Sequence, residues 1–179
     1  MRASWLLAPF AFVPSIAFAQ VIPVNLPPLG PGINASTQLN FASGNEFYVL
    51  SGTTTVDLTA GSGHGMIFDT IGSTVDTELA VYGNQGAALL AFNDDGGTPP
   101  GGAASVGLNS VLTFGDEAAY TGPYDGTTNG AGCVNGHDLR AGSYLFVVST
   151  FSTVWGCPGA TATTRSGNTG AATVHGAIF

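Results

Sequence analysis

Lysine is absent from the 179 residues, and Arg2, Arg140 and Arg165 are the only fixed cations. Against 11 Asp+Glu they leave a formal net charge of -8. Such a surface repels phosphate backbones and anionic lipid, which argues against nucleic-acid partners and electrostatic attachment to membranes. Catalytic signatures of fixed spacing are missing as well: there is no G-x-S-x-G elbow, no H-E-x-x-H and no P-loop. No CxxC suggests a metal knuckle. No window of a dozen residues carries a helical stripe with caps, and the many glycines follow no G-x-y period, which excludes collagen.

What is present is enough for one folded unit. A chain of 18.0 kDa with 44% hydrophobic residues can bury a sizeable core as a single domain. Residues 1–19 stand apart. Arg2 precedes an apolar run from Trp5 to Phe18, and Ala17-Phe18-Ala19 supplies the small residues a signal peptidase requires. The run is short for a membrane span and holds Pro9 and Pro14. The expectation is a cleaved signal peptide, a mature start at Gln20, and a protein that is secreted or held at the cell surface without membrane insertion. In an oxidising compartment Cys133 and Cys157 are expected to form one disulfide. It would close a loop of 25 residues and stabilise the fold by roughly 3 kcal/mol.

Residues 20–36 contain Pro23, Pro27, Pro28 and Pro31 and read as an extended leader, with an edge strand over residues 21–24. Asn34-Ala35-Ser36 fits a glycosylation sequon, which matters only in a eukaryotic host. From residue 37 to 179 short β-rich runs alternate with glycine clusters. Strands are expected over residues 38–41, 47–50, 53–58, 66–70, 78–82, 87–92, 106–114, 143–151 and 173–178. Thr53-Thr54-Thr55-Val56-Asp57-Leu58 shows the period of two of a half-buried strand. Tyr144-Leu145-Phe146-Val147-Val148 is apolar throughout and is expected at the centre of a sheet. Many short strands with turn signals between them predict an all-β, antiparallel sandwich in one domain. Residues 94–104 and 115–138 are expected as long connections.

The run Phe68-Asp69-Thr70-Ile71-Gly72-Ser73-Thr74-Val75-Asp76-Thr77-Glu78-Leu79-Ala80-Val81-Tyr82 is followed by Leu90-Ala91-Phe92-Asn93-Asp94-Asp95-Gly96-Gly97. These blocks, with Ser110-Val111-Leu112-Thr113-Phe114 and the Leu139 to Val148 run, resemble the bacterial pre-peptidase C-terminal domains, which are related to collagen-binding domains. The resemblance spans roughly residues 47 to 151. It implies a jelly-roll-like β-sandwich that serves as an accessory module on secreted proteins. Two features depart from that pattern: no catalytic domain accompanies the module, and residues 115–138 with their cysteine are an insertion.

Two readings of the acidic turns stand side by side. In the first, Asp and Thr side chains bond backbone N–H groups and fix tight turns, with Asp69-Thr70 ending one strand and Asp76-Thr77 starting the next. Leu79, Val81 and Leu89 are then expected to point inward, with Ala80 and Tyr82 on the other face. In the second, Asn93, Asp94 and Asp95, joined by Asp69 and Asp76, offer hard oxygens to calcium. That is a role the resemblance also implies, since related collagen-binding modules bind this ion.

Tyr120, Tyr124 and Trp155 are candidates for stacking on a ligand, and Trp155 has packing over the disulfide as its alternative. Ser62 near His64, and Asp116-Glu117 with Asp125, are the thin traces of a hydrolase. His175 reads as an ordinary strand residue. The sequence thus points to a secreted, non-enzymatic accessory or binding module for an extracellular protein or polysaccharide. The alternative is a self-associating surface-layer or matrix subunit, and a small secreted hydrolase ranks last.

Overall fold

The computed structural model describes residues 20–42, 46–83, 89–94, 108–116, 138–151, 153–155, 162–164 and 168–179. In chain order the strands are β1 (Gln20–Asn25), β2 (Asn34–Phe41), β3 (Glu46–Thr54), β4 (Gly65–Asp69), β5 (Thr77–Tyr82) and β6 (Leu89–Asn93). Then follow β7 (Val111–Gly115), β8 (Gly142–Thr150), β9 (Thr153–Trp155), β10 (Ala162–Thr164) and β11 (Gly170–Ile178). One sheet runs β1-β3-β8-β5-β6 and the other β2-β11-β4-β7, while β9 and β10 form a separate two-stranded ribbon. Every pairing is antiparallel except β1 with β3. The architecture is an all-β sandwich. No helix among the described residues is long and apolar enough to cross a membrane.

The main core lies between the two sheets, as period-two alternation requires. The five-stranded sheet contributes Tyr48, Leu50, Leu79, Val81, Phe146 and Val148, and the four-stranded sheet Leu39, Phe41, Met66, Phe68, Leu112 and Phe114. Phe68 and Phe146 meet across the gap with ring centroids 4.6 Å apart. The apolar run read at residues 144–148 lies in β8, between β3 and β5, with Phe146 to Val148 buried and Tyr144 and Leu145 partly exposed.

A second cluster sits on the outer face of the five-stranded sheet. Phe47, Ala80, Tyr82, Leu89, Val147 and Trp155 make it, with Val49, Phe92 and Leu145 packed alongside. Leu79 and Val81 point inward and Ala80 and Tyr82 outward, as alternation predicts. Leu89 was expected inward and instead joins the outer cluster. The pairing of β5 with β6 shifts register between Val81 and Tyr82, and this irregularity turns Leu89 to the other face.

Boundaries also moved for physical reasons. The expected strand over residues 47–50 runs on through Gly52 to Thr54 as β3, because Gly52 does not interrupt it: the Phe146 ring packs where a Cβ would stand, 3.0 Å away. The strand expected over residues 53–58 stops there: residues 55–56 bend away, and Leu58 makes only a single bridge, with Leu139. The leader is part of the sandwich. Its residues form β1 on the edge of one sheet, and Asn34, Ala35 and Ser36 open β2 in the other. Leu26 N–H donates to the Ser51 carbonyl. Alternation from there turns the N–H groups of Val21 and Asn25, and the missing one of Pro23, to the free edge, where a proline removes no ladder bond.

Phe146 is fully buried and touches both sheets. Phe146→Ala is expected to lower unfolding free energy by about 3–5 kcal/mol in a denaturant titration, without changing the far-ultraviolet spectrum of the folded state.

Candidate functional site

The residues of the pre-peptidase-like motif form a hydrogen-bonded corner. Asp69 ends β4, and its Oδ1 accepts the Ile71 N–H at 2.9 Å, the two-residue reach of an Asx turn. Gly72 takes φ 91 within the bend, a left-handed value that glycine adopts without strain. Thr70 and Thr77 meet hydroxyl to hydroxyl at 2.5 Å, and Thr70 Oγ1 accepts the Ser110 N–H at 2.9 Å. The Ser73 hydroxyl donates to the Thr70 carbonyl at 2.6 Å. Asp76 offers its carbonyl to the Phe151 N–H at 3.1 Å.

The acidic turn after β6 is fastened similarly. Asn93 is fully buried, and its Oδ1 accepts the Val111 N–H of β7 at 3.2 Å. The Ser110 hydroxyl lies between the carbonyls of Thr77 and Asp94. These bonds tie an edge of one sheet to an edge of the other. Asp69 and Asn93, offered above to calcium, therefore each spend a side-chain oxygen on a backbone N–H. Among the described residues no group of three or more His, Cys, Asp or Glu side chains is arranged to hold a metal. Asp76 and Asp94 join the same network through their carbonyls, and Asp95 lies outside the described residues. Asp69 pairs across strands with His175. Burial pushes its carboxyl above the usual range, while the Ile71 N–H and the His175 charge pull it back down.

Trp155 is 5% exposed and belongs to the outer cluster. Its ring stands edge-on to Phe47 at 6.1 Å and tilted to Tyr82 at 6.5 Å. The indole N–H donates to Glu78 Oε2 at 3.0 Å, and the Thr153 N–H donates to Glu78 Oε1 at 2.6 Å. Packing is therefore the role the structure gives this tryptophan, and its ring face is not presented to solvent. Tyr120, Tyr124, Cys133, Cys157, Glu117 and Asp125 lie outside the described residues.

Glu78 escaped sequence reading, because nothing local marks a glutamate whose partners come from a ribbon 75 and 77 positions away. It is 2% exposed. Burial, with help from the charges of Asp94 and Asp76, pushes its carboxyl up to about 8 against the opposing pull of the Thr153 and Trp155 N–H groups.

Of the two hydrolase traces, only the Ser62 one falls wholly within the described residues. The Ser62 hydroxyl donates to the His64 carbonyl at 3.2 Å and accepts the His64 N–H, so it closes its own turn instead of facing an imidazole.

A shallow groove of about 220 Å³ lies beside β3 and β8, lined by Leu26, Pro28, Ser51, Gly52, Thr53, Ser143, Tyr144 and Leu145. Ser51, Thr53 and Ser143 are exposed, and the Thr53 and Ser143 hydroxyls are 3.3 Å apart. Tyr144 is anchored at one end, its phenol donating to the Arg140 carbonyl at 2.7 Å.

No family model and no curated protein matches the chain. Among solved structures it is similar to the pre-peptidase C-terminal domain of a collagenase from Bacillus anthracis, at 9% identity and a TM-score of 0.42, covering 90% of this chain and 96% of that one. That domain belongs to the family which the motif at residues 68–82 resembles. The chain is also similar to a periplasmic inhibitor of g-type lysozyme from Aeromonas hydrophila, at 11% identity and a TM-score of 0.37 over 88% of this chain and 100% of that one. A surface-associated copper-binding protein of Methylomicrobium album BG8 matches at 14% identity and a TM-score of 0.31, over 88% and 98% of the two chains.

The elevated Glu78 carboxyl sets a pH dependence. Between the unfolded value of 4.5 and the folded value of about 8, the folded chain holds a proton that the unfolded chain has released. The stability it contributes is full below about 4.5 and is lost as pH rises through about 8. Subtracting the unfolding free energies of Glu78→Gln from those of the native chain across this window is expected to return that slope. The variant itself should be less stable by about 1–3 kcal/mol at low pH, since an amide replaces one of two acceptors. A difference curve flat from pH 5 to 9 contradicts this account.

Proposed function

We propose that this chain is a secreted, non-enzymatic binding module that recognises an extracellular protein or polysaccharide through the outer surface of its five-stranded sheet. The observation that carries the reading is the groove beside β3 and β8. It pairs a row of exposed hydroxyls, Ser51, Thr53 and Ser143, with apolar walls from Leu26, Pro28 and Leu145. Hydroxyls beside apolar walls suit a neutral, hydrogen-bonding polymer, and none of the groove residues carries a charge. Ser62 supports the same reading, because its hydroxyl is occupied in fastening its own turn, as Asp69 is at the motif corner. The signal-like residues 1–19 place the module outside the cytoplasm in this proposal. It also includes the cystine between Cys133 and Cys157 and calcium as a stiffener of the Asp94-Asp95 turn.

Screening the mature protein against an array of glycans and against immobilised matrix proteins is expected to give a ligand whose capture weakens at least about tenfold in a Thr53→Ala, Ser143→Ala double variant. The melting temperature of that variant should stay unchanged, since its two hydroxyls are exposed. Ligand capture untouched by the double variant rejects the groove, and turnover of any ligand rejects the non-enzymatic reading. Millimolar calcium is expected to raise the melting temperature and EDTA to reverse the rise; an unmoved transition removes the ion from the proposal.

A further inference from the structure

Among the described residues, three of the four edges of the sandwich are managed and one is not. On the five-stranded sheet, β1 turns Pro23 to its free edge. The edges of β6 and β7 are short and are tied together by Asn93 and Ser110. The remaining edge is β2, eight residues long and paired with β11 in unbroken register from Asn34 to Phe41. It holds no proline, no bulge and no charged residue, the devices that ordinarily protect an edge.

The hydrogen-bond phase of that edge can be read from both sides. Tyr48 Oη, reaching over from β3, bonds both the N–H and the C=O of Asn40. Asn40 therefore points its backbone groups away from β11. On β11, Thr173 N–H donates to the Ser73 hydroxyl at 3.1 Å, on the side opposite β2. Thr173 is the Cα partner of Gln38, so Gln38 also faces outward. Alternation extends this to Asn34 and Ser36. The free edge thus offers the N–H and C=O of Asn34, Ser36 and Gln38, and Tyr48 closes it at Asn40.

We propose that β2 pairs antiparallel with β2 of a second copy about a twofold axis at Ser36. Only outward-facing residues can exchange bonds, so hydrogen-bonded pairs must join even-numbered positions. Centring on Ser36 matches Asn34 with Gln38, Ser36 with Ser36, and Gln38 with Asn34, and uses every open group while leaving Asn40 to Tyr48. Centring on Thr37 or Gln38 would require Asn40, whose groups are taken. The occupant is a second copy because the edge is self-complementary about Ser36 and is uncharged in a protein that otherwise repels itself. Asn34 and Gln38 bring amides face to face: Gln38 Nε2 donates to Thr173 Oγ1 at 2.8 Å within its own chain, and its amide oxygen is left to accept the partner's Asn34 amide across the seam. The contact joins two four-stranded sheets into one continuous sheet. It is small, which places its affinity among weak, reversible associations. It is independent of the groove on the opposite sheet.

Sedimentation velocity of the mature chain over a hundredfold concentration range is expected to show a monomer giving way to a dimer. Ser36→Pro removes only outward N–H groups, so it should weaken the dimer by roughly tenfold or more and leave circular dichroism and the melting temperature of the monomer intact. Gln38→Pro should weaken the dimer likewise, and in the monomer removes only the exposed Gln38–Thr173 side-chain bond as well. A second measurement fixes the register: the hydrogen-bonded pair at the axis has Cα atoms about 5.5 Å apart, within reach of a disulfide. The S36C variant under mild oxidation is expected to yield a cross-link joining position 36 of two copies, identified by peptide mass spectrometry, and T37C is expected to cross-link more slowly. A protein that stays monomeric, a dimer indifferent to both prolines, or a cross-link faster at position 37 overturns the proposal. So does a monomer that captures an added β2 peptide, since that assigns the edge to a strand from another protein.

Discussion

Strand β8 sends Phe146 and Val148 to one side of its sheet and Leu145 and Val147 to the other, and water is unfavourable on both. The inner side is answered by the second sheet. Among the described residues no further sheet meets the outer side, and the β9–β10 ribbon brings Trp155 over Phe47 and Tyr82 instead. Position is held by Glu78, which accepts N–H bonds from the ribbon's backbone and from the indole. A carboxylate in that place suffers desolvation, and its raised proton affinity is the measure of the conflict. Three layers thus stack in order: four strands, five strands and a partial lid.

The motif acids make sense within this arrangement. Asp69 and Asn93 work on backbone N–H groups at the corners where the chain leaves one strand for another. Ser110 and Thr70 complete the join between sheets with hydroxyls. The corners at the β6–β7 side are fastened by side chains, whereas Ser51, Thr53 and Ser143 on the opposite flank stand exposed and carry few structural duties.

Much of this was legible in the residues. Alternation gave the interior strands and the central place of the 144–148 run, and the turn chemistry of Asp69 and Thr70 was readable from type and spacing. What escaped was non-local. The parallel docking of β1, the ribbon formed by β9 and β10, and the partners of Glu78 all join residues far apart, where no short pattern speaks. Gly52 misled because its small size serves the Phe146 ring and not a turn. Leu89 misled because one register shift reverses every face beyond it. Trp155 stands a few residues from a cysteine, yet its decisive neighbour is a glutamate across the sheet.

The position of β11 between β2 and β4 has a kinetic meaning. Gln38 and Thr173 are 135 positions apart, so half of the smaller sheet waits for the last strand to arrive. Contact order is high by this route, and loop closure must precede any reward from pairing. The four-stranded sheet is therefore complete only once residues 170–178 are in place, whatever the order in which the other strands form.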